Sequence, residues 1–254
     1  MRMALCLLTL VFAPGFARAD EAADAARYER CLSQISLNPD AAVEAALEWM
    51  GEGGGAPAKH CHALALIATG HAEDAATRLE ALAKAHGDYG DDLRAAMLDQ
   101  AGNAWLIAEL PDAAVSDFTS AIELGRVAKL SAQARAGFLA DRARADLLTK
   151  KFKDARADLD ASIALAPMTA ALATRARLER ETGDRSAALA DVTRALGIDP
   201  KFPEALLERG RLLVLKGDVK NARLDFVNAS LFAKTGAIAD EAQTEIAKLD
   251  IRDH

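Results

Sequence analysis

Leu172-Ala173-Thr174-Arg175-Ala176-Arg177 is followed by Gly183-Asp184, Ala188, Asp191-Val192, Ala195 and Pro200. Thirty-four residues on, Leu206-Leu207-Glu208-Arg209-Gly210-Arg211 is followed by Gly217-Asp218, Ala222, Asp225-Phe226 and Ala229. One step earlier, Leu139-Ala140-Asp141-Arg142-Ala143-Arg144 leads to Ala155, Asp158-Leu159, Ser162 and Pro167. Within each copy the apolar residues recur at three- and four-residue spacings, which is the helical period. The breaks are short and carry Gly, Pro or Asp, as at Ala166-Pro167, Thr182-Gly183-Asp184 and Asp199-Pro200. Breaks of that length join antiparallel neighbours. Period-2 alternation is absent and β-branched residues are scattered, so the sequence predicts an all-α protein built of repeated helix pairs.

The pattern resembles the tetratricopeptide repeat, two antiparallel helices in about 34 residues. That family has a small residue midway along the first helix, and Gly102, Ala143, Ala176 and Gly210 stand there. It has Ala early in the second helix, matched by Ala114, Ala155, Ala188 and Ala222, and a bulky apolar residue four places later, matched by Phe118, Leu159, Val192 and Phe226. A further small residue follows at Ala121, Ser162, Ala195 and Ala229. The resemblance implies a right-handed α-solenoid of antiparallel helix pairs, a superhelix whose concave face binds partners.

Working outward, the match is close from about Ala95 to Lys234 and looser upstream. Ala56 to Gly87 keeps Ala63, Gly70, Ala75, Leu79 and Leu82, whereas Ala23 to Met50 has Arg30 where a small residue is expected. About six repeats are expected over 20–234, the first degenerate. Between Leu124 and Ala136 the connection is longer than elsewhere, implying an extended second helix or a looser joint. Ile238, Ala242, Ile246 and Leu249 share one face of a last helix, expected to cap the solenoid within 235–254. Gly51-Glu52-Gly53-Gly54-Gly55 follows a helix and lacks a Gly-Lys-Ser/Thr, so it reads as a flexible inter-repeat loop and not as a phosphate cradle.

At the other end, Arg2, the apolar run Met3 to Ala13, the break Pro14-Gly15 and Ala17-Arg18-Ala19 have the parts of a secretory signal over 1–19, cleaved before Asp20. The run is too short to span a bilayer, which needs roughly 20 residues. A periplasmic location without stable membrane insertion is therefore expected. Removing Arg2 and Arg18 takes the net charge from −7 to −9. With no basic block, this excludes nucleic acid as a natural partner, because phosphate neutralisation dominates that affinity. Hydrophobic residues are 51% of the chain but aromatics only 5%, so the core is expected to be Ala and Leu.

Two rows of arginines recur at the repeat spacing. Arg142, Arg175 and Arg209 hold one position of the first helices, and Asp117, Asp158, Asp191 and Asp225 hold one position of the second. These are expected to meet as structural ion pairs, either within a repeat or across the joint. Arg144, Arg177 and Arg211, preceded by Asn103, lie two residues further on. Two residues turn a helix by about 200°, so this second row points elsewhere. The resemblance places it in the concave groove, where guanidiniums could hold a partner's carboxylates. The alternative pairs them with local acids such as Asp141, Glu181 and Glu208.

Beyond the signal, two cysteines remain, Cys31 and Cys61, each on the first helix of its repeat. A disulfide between them is expected in an exported chain. It would close a loop of about 30 residues, worth roughly 3–4 kcal/mol by loop-closure entropy. A zinc or copper site with His60 or His62 is disfavoured, because residues two apart on a helix face different sides. No Cys-x-x-Cys, His-Glu-x-x-His or spaced Ser, His and Asp set is present, so neither a catalytic residue, a metal nor a cofactor is expected. The expected function is a non-catalytic protein–protein interaction scaffold of the cell envelope, holding an extended peptide or helix in its groove. The alternative is a redox-active or metal-handling accessory protein acting through Cys31 and Cys61.

Overall fold

In a computed structural model the chain is described at residues 16–85, 89–234 and 236–252. The expected signal segment lies outside the described residues as far as residue 15, and 16–19 begin the first helix. Thirteen helices follow in order among the described residues: α1 (Phe16–Leu37), α2 (Pro39–Gly51), α3 (Gly55–Ala68), α4 (Ala72–Lys84), α5 (Asp91–Ile107), α6 (Pro111–Val127), α7 (Ala132–Leu148), α8 (Phe152–Leu165), α9 (Thr169–Thr182), α10 (Arg185–Ile198), α11 (Pro203–Lys216), α12 (Val219–Ala233) and α13 (Ala237–Arg252). No strand occurs among the described residues. The chain divides into two compact units, Met1–Arg78 and Leu79–His254.

In the first unit Asn38 stops α1 and starts α2. Its Oδ1 accepts from the Ala41 amide at 3.1 Å, and Pro39 takes the first helical position, where no amide is needed. The glycine run between α2 and α3 is a tight turn, not the flexible loop expected. Gly53 and Gly55 have φ of +88° and +58°, and a Cβ at Gly54 would fall 2.7 Å from Cγ of Trp49. Trp49, 2% exposed, thus rests on backbone that only glycine can supply. Arg30 sits where the other first helices carry Gly or Ala. It is exposed, and a cleft lined by Arg27, Arg30, Cys31, Gln34, Ala45, Glu48 and Trp49 lies beside it. The long side chain lines that cleft where the other helix pairs have a small residue.

In the second unit the small and bulky positions are matched in size. Gly102 faces Phe118 and Gly210 faces Phe226. A Cβ on Gly102 would lie 2.6 Å from the Phe118 ring. Where the first helix has Ala143 or Ala176, the second has the smaller Leu159 or Val192. Both alanines and all four of those second-helix residues are fully buried. The contact volume is conserved by trading a methyl on one helix against ring atoms on the other.

The loops vary more than the core. Gly183 (φ +94°) and Gly217 (φ +86°) close α9 and α11, and Asp184 and Asp218 cap α10 and α12 through the Ala187 and Asn221 amides. At the equivalent ends of α5 and α7, Glu109 and Lys150 take the left-handed conformation at φ of 61° and 59°. The long connection after Leu124 is an extended α6 of 17 residues, against 14 in α8 and α10. At the far end α13 buries Ala242 and Leu249, with Ile238 and Ile246 beside them, against Leu206, Phe226 and Ala229.

Candidate functional site

The arginine–aspartate rows meet as bidentate pairs inside each helix pair. Arg142 Nε and Nη2 reach Asp158 at 2.7 and 2.8 Å, Arg175 reaches Asp191 at 2.6 and 3.0 Å, and Arg209 reaches Asp225 at 2.7 and 2.7 Å. The planar fork fits the carboxylate and fixes the angle between the two helices. A weaker second bond crosses the joint: Arg142 Nη1 donates to Thr119 Oγ1 at 3.1 Å, and Arg175 Nη1 to Asp160 Oδ1 at 2.8 Å. At the next joint the equivalent place on α10 is Thr193, whose hydroxyl donates to the Leu189 carbonyl of its own helix at 2.7 Å.

Asp117 departs from the expected ion pair. Ala101 occupies the arginine's position on α5, so Asp117 accepts from Trp105 Nε1 at 3.0 Å instead. Two further buried acids lie outside both rows. Asp146 and Glu179, 4% and 5% exposed, hold one position of α7 and α9, where α5 has Trp105 and α11 has Leu213. Burial pushes both carboxyls up, against the pull of Lys151 and Arg142 on Asp146 and of Arg175 and Arg156 on Glu179. The equal spacing of Asp146 and Glu179 was visible in the sequence, but a lone acid on a helix defaults to solvent.

The second row lies on the opposite side of the first helices. Arg144 donates to Asn103 Oδ1 and lies 3.3 Å from Asp141. Arg177 bonds Glu181 at 3.0 Å. Arg211 bonds Glu208 and Glu241 at 2.7 Å each and lies 3.5 Å from Glu245. The neighbouring Arg180 ties α9 to Glu208 of α11 at 2.6 Å. The local acids named as alternatives are thus engaged with these arginines. Side-chain exposure still separates the rows at two places: 45% for Arg144 against 24% for Arg142, and 33% for Arg177 against 18% for Arg175. At the third the order reverses, with Arg211 at 17% and Arg209 at 38%, because α13 brings Glu241 and Glu245 over Arg211.

One helical turn beyond Asn103, Arg144 and Arg211 stand Ile107, Leu148 and Leu215, exposed by 58%, 48% and 47%. Residues four apart share a helix face, so α5, α7 and α11 each pair a polar group with an apolar one. On α9 Glu181 takes the apolar place and binds Arg177. Beside Arg144, Asp99 has an Oδ1 with no hydrogen-bond partner. Burial and the nearby Asp141 push its carboxyl up to about 7, with Arg144 opposing.

In the first unit Cys31 and Cys61 form a disulfide between α1 and α3, with Cα atoms 6.3 Å apart, inside the range such bonds require. Beside it Tyr28 Oη and His60 Nδ1 are 2.6 Å apart and their rings stack. His62 is 4% exposed, and burial lowers its pKa. Among the described residues no group of His, Cys, Asp or Glu is arranged to hold a metal ion.

No family model matches the sequence, and no curated protein does. Solved structures do. A tetratricopeptide repeat protein from Parabacteroides merdae is similar with a TM-score of 0.69 and 16% identity, over 90% of this chain and 84% of that one. The pilF protein of Pseudomonas aeruginosa gives 0.63 and 14%, over 89% and 99%. TTC0263, a thermophilic protein of the same repeat class from Thermus thermophilus, gives 0.57 and 18%, over 75% and 99%. The chain has the tetratricopeptide-repeat fold, an all-α solenoid of helix pairs.

Proposed function

We propose that this chain is a non-catalytic scaffold of the cell envelope that holds a partner polypeptide along a concave groove lined by α5, α7, α9 and α11. The observation that carries the reading is the coincidence of two rows on that face: Asn103, Arg144, Arg177 and Arg211 in one, Ile107, Leu148 and Leu215 in the other. A run of polar groups with exposed apolar side chains one turn away fits a bound peptide or helix better than it fits solvent. Arg144 and Arg177 carry the polar recognition, since Arg211 is committed to three glutamates. Export through a cleaved 1–19 segment is part of the same reading. It is supported by the disulfide and by the lack, among the described residues, of a helix long and apolar enough to cross a membrane. A photo-crosslinking residue placed at 107 or 148 should trap one partner from envelope extract, and the same residue at exposed Leu224 should not. Equal yields at all three positions would overturn the groove. The redox alternative fares less well, since Cys31 and Cys61 are 6% and 0% exposed, whereas a working redox cysteine is solvent-accessible.

A further inference from the structure

Asp117 is 6% exposed and faces charged or polar groups from every helix packed on it. From α4 come Glu80 and Lys84. From α5 comes Trp105, whose Nε1 lies 3.0 Å from Asp117 Oδ2 and 3.1 Å from Glu80 Oε1. On α7, Arg142 reaches α6 at Thr119 and spends its other nitrogens on Asp158. A single indole N–H therefore stands between two carboxyl groups, and no arginine answers either. Lys84 Nζ lies 2.5 Å from Glu80 Oε2. Two adjacent carboxylates cannot both stay charged in so dry a place, so one proton must lie between them. It belongs on Asp117, whose side chain is the less exposed of the two.

We propose that Glu80, Trp105 and Asp117 form a proton-operated clamp, closed when Asp117 holds a proton and donates it to Glu80, and loosened when that proton leaves. The part it fastens is residues 79–84 of α4, which pack Leu82 and Ala83 with Ala95 and Leu98 of α5. The clamp does not depend on the partner-binding reading.

The direction of the response follows from the surroundings. Burial, and then Glu80, push the Asp117 carboxyl up to about 7 from its ordinary 3.8, and the bond from Trp105 and the positive charge of Lys84 only partly oppose them. A carboxyl raised by folding stabilises fully below its unfolded pKa and gives up that stabilisation as pH rises through its folded one. The clamp is therefore tight in mild acid and loosens from about pH 4 to 7 and above.

The test uses the full chain with Trp49→Phe, which leaves Trp105 as the remaining one of two tryptophans. Its fluorescence should step with a midpoint near 7 in a pH titration. The step should vanish with Asp117→Asn and should survive Asp99→Asn, a carboxyl raised to a similar value but on another face of α5. A flat titration, or a step that survives Asp117→Asn, would overturn the clamp. Should Trp49→Phe fail to fold, hydrogen exchange of residues 79–84 in the unaltered chain gives the same answer. Protection, corrected for the intrinsic rate, should fall between pH 6 and pH 8 and should stay constant in Asp117→Asn. Equal protection at both pH values in the unaltered chain would sink the proposal.

Discussion

In α7/α8, α9/α10 and α11/α12 a guanidinium lies flat on a carboxylate and a small residue faces a larger one, so each pair closes along its length. In α1/α2 an exposed Arg30 takes the place of the small residue beside a cleft, and the covalent bond runs from α1 to α3. The difference is one of kind. The arginine pairs and the matched volumes act in the folded state, where they fix a geometry. A disulfide acts mainly on the unfolded chain, so it can secure a helix that packs imperfectly.

Reducing that bond, or Cys31→Ser, should do the greatest damage. About 3–4 kcal/mol should be lost, by loop-closure entropy, with the exchange of α1 amides rising and that of α9 to α12 unchanged. Loss of protection throughout the second unit would show that the staple is not local. Arg175→Ala comes next. It strands Asp191, 4% exposed, with only Arg194 at 3.6 Å, and should cost roughly 2–3 kcal/mol in chemical denaturation. That is below the roughly 3–5 kcal/mol of a fully buried pair, because Arg175 is partly wet.

Gly102→Ala should cost about 1–2 kcal/mol by driving a methyl against Phe118. Adding Phe118→Leu, which recreates the Ala143–Leu159 contact, should restore most of it. Additive losses would mean that the size matching is accidental. Arg177→Ala should be smallest, about 0.3–0.5 kcal/mol, as for an exposed pair within one helix. A melting shift equal to that of Arg175→Ala would remove the distinction between the two arginine rows.

The repeat spacing made the second unit legible because its signals are local and periodic. Alanines and glycines every repeat locate the helix contacts, and Arg and Asp at fixed offsets find each other. What stayed hidden depended on one residue out of pattern. Ala101 removes an arginine and turns Asp117 into a buried acid beside Glu80. The position of α13 buries Arg211 through Glu241 and Glu245, which no offset among the repeats encodes. Gly54 looked like slack chain because the Trp49 ring above it comes from the preceding helix. On the candidate binding face the arginine row is readable, but its apolar companions Ile107, Leu148 and Leu215 are not, since an apolar residue on a helix reads as core.

The traded volumes at Gly102–Phe118, Ala143–Leu159, Ala176–Val192 and Gly210–Phe226 also bear on how such a chain can lengthen or be shuffled. The two helices of a pair hold one fixed volume between them, so neither can be inherited alone. A crossover inside a pair that set the Phe226 helix behind Ala176 would press a ring onto a methyl. One that set the Val192 helix behind Gly210 would leave a void. Breakpoints between pairs, at Ala166-Pro167 or Asp199-Pro200, move both partners together and keep every contact whole. Genetic exchange within this array is therefore expected to be punctuated at its prolines and silent at its Gly-Asp turns.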